Sequence, residues 1–327
     1  MKLWVKVAVS VGLLTALFLL LPWHQVRDAL LRLSAIVWVG VLLGFVLGHT
    51  LGVVKWRTFV NAGRSDLGFA DAALCYGAGL FANLCLPSIV GGDVLRAALA
   101  SRFTRRPEAA FLGGVLDRVT DMIAMTILVA AGGLLSHDAL PGVGGNLITV
   151  SLILGSAVLL IFLPLMLRRR LNRWPRRLRR PIGRALVALR RLARNPRSAA
   201  KTLCLSLTIQ GSFVLLNAWL GWQLGIRVPL TVWFLVWPLA KIAGLMPISL
   251  GGLAVRETTL AALLAPFGVP FAVGVVCSLL WQTVLDRGWP HWRPRLAAAR
   301  SPARRTIWRG NPARRGDSFV TCLNPGS

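Results

Sequence analysis

Pro87-Ser-Ile-Val-Gly91-Gly92-Asp93-Val-Leu-Arg96 is echoed 160 positions later by Pro247-Ile-Ser-Leu-Gly251-Gly252-Leu-Ala-Val-Arg256, with Glu257 directly after the second copy. Proline, both glycines and the arginine fall in register, and each copy interrupts an otherwise apolar run. Proline removes a backbone donor and a glycine pair loosens the helix around it. At membrane depth, broken backbone survives only where protein or a water-filled cavity surrounds it. A matched pair of interrupted apolar segments in the two halves of a chain points to a transport site.

The surrounding composition belongs to a membrane protein. The 327 residues are 55% hydrophobic, with a mean hydropathy of +0.65. Runs long enough to cross a hydrocarbon core of about 30 Å recur at 3–22, 35–54, 109–135, 146–167, 202–224 and 267–285. Two more, 70–86 and 231–246, lead into the interrupted motifs. The first run follows Lys2 and Lys6 but has no small-x-small cleavage site, so it reads as an uncleaved span.

The net charge of +27 is unevenly placed: fourteen Lys/Arg lie in 168–201 and nine Arg in 287–315. Basic segments beside spans follow the positive-inside rule and attract anionic headgroups. No nucleic-acid-binding module is visible, and a nucleic-acid partner is not expected. Cys75, Cys85, Cys204 and Cys277 sit in apolar segments without metal-ligand spacing, so neither metal nor cofactor is expected. His49 reads as a packing residue.

Charge parity sets the topology. The 136–146 loop has no Lys or Arg and is placed outside, whereas the N-terminus and the 168–201 loop are placed in the cytoplasm of a multi-pass protein of the cell (inner) membrane. The connections with Lys55, Arg57 and Arg64, and with Arg102, Arg105 and Arg106, read as cytoplasmic too. Segment 70–100 then enters and returns on one side, and 231–266 does the same from the other; the alternative, two more full crossings, would put a strongly basic connection outside. The expected fold is an all-α polytopic helical bundle, 1–286, with two oppositely oriented re-entrant hairpins in a transporter-like inverted repeat. Glycines 40, 44, 48 and 52 share one helical stripe suited to close packing. From 287 the sequence turns Arg-, Pro- and Gly-rich without helical periodicity and reads as a disordered tail. Its abrupt onset suggests a lost reading frame or a truncated last span.

Charges in the apolar segments cost roughly 2.5–3.5 kcal/mol each at a helix centre, so they need partners. Asp117, Arg118 and Asp121 put two carboxylates on one helix face, about 12–18 Å from the cytoplasmic end, with Arg118 in reach of Asp121. They serve either as an ionic glue between helices or as part of a site. Arg96 and Arg256 follow the two tips, where free helix amides and a guanidinium suit a phosphate. Asn83 can serve freed backbone or ligand. Lys241 reads as a snorkelling side chain, and Trp23, Trp38, Trp56, Trp233 and Trp237 as interfacial anchors.

At Asn83-x-x-x-Pro87, Gly91-Gly92-Asp93-x-x-Arg96, Asp117-Arg118-x-x-Asp121 and Pro247-x-Ser249-x-Gly251-Gly252-x-x-x-Arg256-Glu257 the chain resembles the lysylphosphatidylglycerol synthase/flippase-like family of integral membrane proteins. The family often has Glu where Asp117 stands, and a closing hydrophobic segment that 287–327 lacks. Its bifunctional members carry a soluble aminoacyltransferase domain that does not fit in this chain. The resemblance therefore implies the lipid-translocating part alone, or a relative acting on another lipid-linked substrate, and does not support synthase activity. The expectation is a transporter and not an enzyme, with those motif residues as the substrate site and an anionic membrane phospholipid or lipid-linked headgroup as the cargo. The competing expectation is a non-transporting partner of a lipid-modifying enzyme, docking through 168–201.

Overall fold

The structure is a computed structural model and describes His24, Arg27 and residues 34–63, 65–85, 89–104, 106–136, 196–244 and 254–287. Among these, every regular element is helical. In chain order they are α1 (Ala35–Ala62), α2 (Phe69–Cys85), α3 (Ile89–Ala100), α4 (Pro107–Leu135), α5 (Pro196–Gln223), α6 (Leu230–Gly244), α7 (Val255–Leu264) and α8 (Phe271–Arg287), with a 3-10 turn at Ala265–Phe267 before α8. The protein is an all-α, multi-pass membrane bundle. Helices α1, α4 and α5 are long and apolar enough to cross a membrane. Spans 3–22 and 146–167, most of the 168–201 loop and the tail beyond Arg287 lie outside the described residues.

Local chemistry sets the helix limits. The Ser34 side chain accepts from the Val37 amide and caps α1. Pro107 begins α4, where its missing donor costs nothing, and Glu108 stands in the same first turn.

Close approach is organised by glycine. Side chains at Gly40, Gly44 and Gly48 would meet Trp219, Leu216 and Phe213 in turn, so α1 and α5 run antiparallel. Gly52, the fourth of the stripe, receives Tyr76 of α2 instead. Gly63 and Gly113 sit against Ala109 and Val60, which makes α1 and α4 antiparallel as well. Ala62, Pro107 and Pro196 therefore share one end of the bundle, and Ala35, Leu135 and Gln223 the other. Opposite the glycine stripe, Ile36, Val39, Leu43 and Val46 of α1 are exposed, Ile36 by 80%. An outward apolar face of this kind suits lipid and not water.

The two halves repeat one plan: a long helix, a short helix pair, then another helix. Helices α2 and α3 pack side by side in opposite directions, with Gly79 against Arg96 and Gly92 against Asn83. The α3 helix has 12 residues, about 18 Å of rise, too short to cross alone. Helices α6 and α7 pair likewise, and Gly244 lies against Arg256 where they meet. Pro87, Pro247, Gly251 and Gly252 lie outside the described residues.

Several sequence expectations need correction. The span expected to stop at residue 54 continues to Ala62, so Lys55 and Arg57 belong to α1 and not to a connection. Lys55 is only 2% exposed, and Arg57 donates through Nε to the Leu67 carbonyl at 2.8 Å. A single cation marked the end of a run only because its buried carboxylate partners are distant in sequence. Gly91 and Gly92 lie within the first turns of α3 and do not break it. At Gly92 the need is proximity: its amide donates to Asn83 Oδ1 at 3.1 Å, and a Cβ would strike Asn83 and the Gly79 carbonyl. Trp56, Trp233 and Trp237 are buried core residues and not interfacial anchors.

A Gly92→Ala substitution is expected to lower stability by about 1–3 kcal/mol through overpacking. Gly211→Ala, with nothing within 4 Å, should be neutral or stabilising because alanine is the better helix former. Thermal unfolding of the two variants in detergent checks the contrast.

Candidate functional site

The mid-points of the three long helices converge on one space. Asp121 is the central residue of α4, while His49 and Gln210 lie next to the centres of α1 and α5. All three line a cavity of about 240 Å³, together with residues from α2, α3, α6, α7 and α8.

One wall is ionic. Lys55 Nζ lies 3.0 Å from Asp117 Oδ1 and 2.5 Å from Asp121 Oδ1, and donates to Ser206 Oγ of α5 at 3.0 Å. Arg96 of α3 reaches Asp117 Oδ2 at 3.1 Å and Asp93 at 3.2 Å. Its guanidinium also stands over Trp56 and Tyr76, 4.8 and 5.1 Å from their ring centres, a favourable cation–π geometry. Arg118 grips Asp93 in a two-pronged pair, at 2.7 Å through Nε and 3.2 Å through Nη2. Arg118 therefore serves α3 rather than Asp121 on its own helix, as its spacing had suggested, because Lys55 already occupies Asp121.

The rest of the lining is aromatic and amide, with the cations Lys241 and Arg256 among it. Phe45, Phe213, Trp237 and Trp281 stack edge to face or face to face at centroid spacings of 5.5–6.1 Å. His49 packs among Phe45, Phe213 and Tyr76, as expected of a packing histidine, yet it also faces the cavity. Arg256 Nη2 bonds Glu257 Oε1 at 2.6 Å and Gln282 Oε1 of α8 at 2.9 Å. Among the described residues its Nε has no hydrogen-bond partner. Lys241 donates to Gln210 Oε1 at 2.7 Å.

The lysylphosphatidylglycerol synthase TM region family model matches residues 3–285. The chain belongs to that family. No curated protein and no solved structure matches it. The family match runs to within two residues of the end of α8, so it takes in both helix pairs and the whole cavity.

Of the site residues expected in this family member, Asn83, Asp93, Arg96, Asp117, Arg118, Asp121 and Arg256 line the cavity. Arg96 and Arg256, from the two matched motifs, share that one space. Gly91 and Gly92 do not line it; Gly92 shapes the α2–α3 contact instead. Glu257, 1% exposed, lies behind Arg256. Sequence reasoning missed Lys55, Tyr76, Gln210 and Gln282, and misplaced Lys241, whose ammonium stays at mid-height with Gln210 and does not snorkel. The available signal was an isolated polar side chain near the middle of an apolar run. No cluster of three or more His, Cys, Asp or Glu suited to a metal occurs among the described residues.

Lys55→Met would leave Asp117 and Asp121 short of a cation inside the bundle. Stability should fall by about 3–5 kcal/mol, the usual result of orphaning a buried charge. Adding Asp121→Asn to the same chain should recover part of the loss, read as the unfolding midpoint in detergent.

Proposed function

We propose that the chain is a lipid translocator, moving an anionic phospholipid or lipid-linked headgroup between leaflets. The observation that carries this reading is the meeting of Arg96 and Arg256, from motifs 160 residues apart, in one mid-height cavity. Each short helix pair would enter the membrane and return on one side, α2–α3 from the Ala62 end and α6–α7 from the opposite end. Exposed Arg102, Arg106, Arg197 and Lys201 near the Ala62 end support placing that end in the cytoplasm.

An anionic headgroup would enter between the ionic and aromatic walls while its tails stay in lipid. Phosphate oxygens would bind the Arg256 guanidinium, whose Nε is unpartnered among the described residues, and draw Arg96 from its aspartates. Guanidinium groups favour such charge-assisted, two-pronged contacts with phosphate. Asp93, Asp117 and Asp121 keep Lys55, Arg96 and Arg118 paired when the cavity is empty, so those charges are not left bare at membrane depth. The carboxylates act as exchange partners, and the proposed activity is carriage without chemistry.

Purified protein in liposomes carrying headgroup-labelled phosphatidylglycerol should speed leaflet exchange. Arg256→Ala and Arg96→Ala should each lower that rate at least tenfold, with size-exclusion profiles checking that the variants remain folded. Folded variants that both exchange lipid at the wild-type rate would refute the site.

A further inference from the structure

Lys241 is the cation that the site's pairing leaves over. The four carboxylates, Asp93, Asp117, Asp121 and Glu257, are committed to Lys55, Arg96, Arg118 and Arg256. Four negative charges meet four positive ones. Lys241, in the last turn of α6, also lines the cavity, yet no carboxylate among the described residues forms an ion pair with it. Its ammonium is held by the neutral amide of Gln210 and lies 5.4 Å from the Phe213 ring centre. Gln210 is itself only 5% exposed and sits at the middle of α5, so the ammonium is held at mid-height facing the cavity.

An unbalanced ammonium in a low-dielectric bundle is costly, and an anion brought beside it relieves that cost. We propose that Lys241 and Gln210 form an anion subsite that takes one phosphodiester, a refinement that rests on the lipid-translocation reading. The lysine supplies the charge. The glutamine carbonyl orients the lysine, and its amide group offers the kind of donor a phosphate oxygen accepts. The surplus of one positive charge sets the preference. A phosphodiester brings a single negative charge and neutralises the site, whereas a phosphomonoester brings roughly 1.5–2 and overshoots it. Arg96 yields only by exchange with its aspartates and Arg256 offers only its Nε beside the Glu257 pair, so Lys241 joins Arg256 in the first contact with an anion.

The test uses the full chain in dodecyl maltoside micelles, with dioctanoylphosphatidylglycerol, dioctanoylphosphatidic acid and inorganic phosphate as probes. Binding is followed by tryptophan fluorescence, since Trp237 and Trp281 line the cavity. Wild-type protein should bind the phosphodiester at least tenfold more tightly than either other probe. Lys241→Gln should weaken that binding tenfold or more, and Lys241→Arg should restore it to within about threefold. Lys241→Met, freed of the surplus charge, should unfold at a higher temperature than wild type without lipid and gain nothing when lipid is added. Folded Lys241→Gln that binds phosphatidylglycerol as wild type does overturns the subsite. Inorganic phosphate or phosphatidic acid binding as tightly as the phosphodiester overturns its assignment. Lys241-dependent binding without leaflet exchange by wild type would keep the subsite and remove the transport reading; exchange with Lys241-independent binding would do the reverse.

Discussion

Buried charge in an apolar surrounding must be matched by opposite charge at contact distance, and that requirement fixes the arrangement of α1, α3, α4 and α5. Between lipid-facing helices the hydrophobic effect gives little guidance, because the tails are as apolar as leucine. Height and rotation are set by directional contacts instead. Lys55 ties α1 to Asp117 and Asp121 of α4 and to Ser206 of α5. Arg96 and Arg118 tie α3 to the same face of α4. A slip of one helical residue would part several of these pairs at once. Glycine makes the distances reachable: without the bare stripe at Gly40, Gly44 and Gly48, α1 would stand too far from α5 for Lys55 to meet Ser206.

Much of this was legible in the residues. The two punctuated motifs, the lengths of the apolar runs and the paired aspartates of 117–121 foretold the helix plan and most of the ionic wall. The glycine stripe foretold close packing, though only the fold reveals that three of its members serve α5 and the fourth α2. What escaped notice depended on contacts distant along the chain. Lys55 looked like the end of a span because its carboxylates lie more than 60 positions away. Trp56 looked like an interfacial ring because the guanidinium above it arrives from α3. Gly91-Gly92 looked like a break because the Asn83 side chain that requires Gly92 to be small belongs to α2. Local patterns report periodicity and interruption; they do not report which distant group supplies the compensating charge.

The cavity divides along the same line as the chain. Its lining carboxylates all come from the first half, while the second half supplies Phe213, Trp237 and Trp281 and neutral amides at Gln210 and Gln282. The halves thus differ in charge balance: lining carboxylates accompany the cations of the first half, whereas Lys241 and Arg256 of the second half are set among rings and neutral amides.

That division makes the two helix pairs unequal in how they are fastened. Helix α3 is bolted to α4 by interlocking ion pairs, whereas the polar link from α7 to α8 is a hydrogen bond from Arg256 to a neutral glutamine, the charged partner of Arg256 being the next residue on its own helix. Separating opposite charges in a low dielectric costs far more than stretching a hydrogen bond to an amide. The first pair is therefore locked to its neighbour by ions and the second by apolar packing, with Gly274 of α8 directly against Ala261 of α7, an asymmetry built into a scaffold whose backbone repeats.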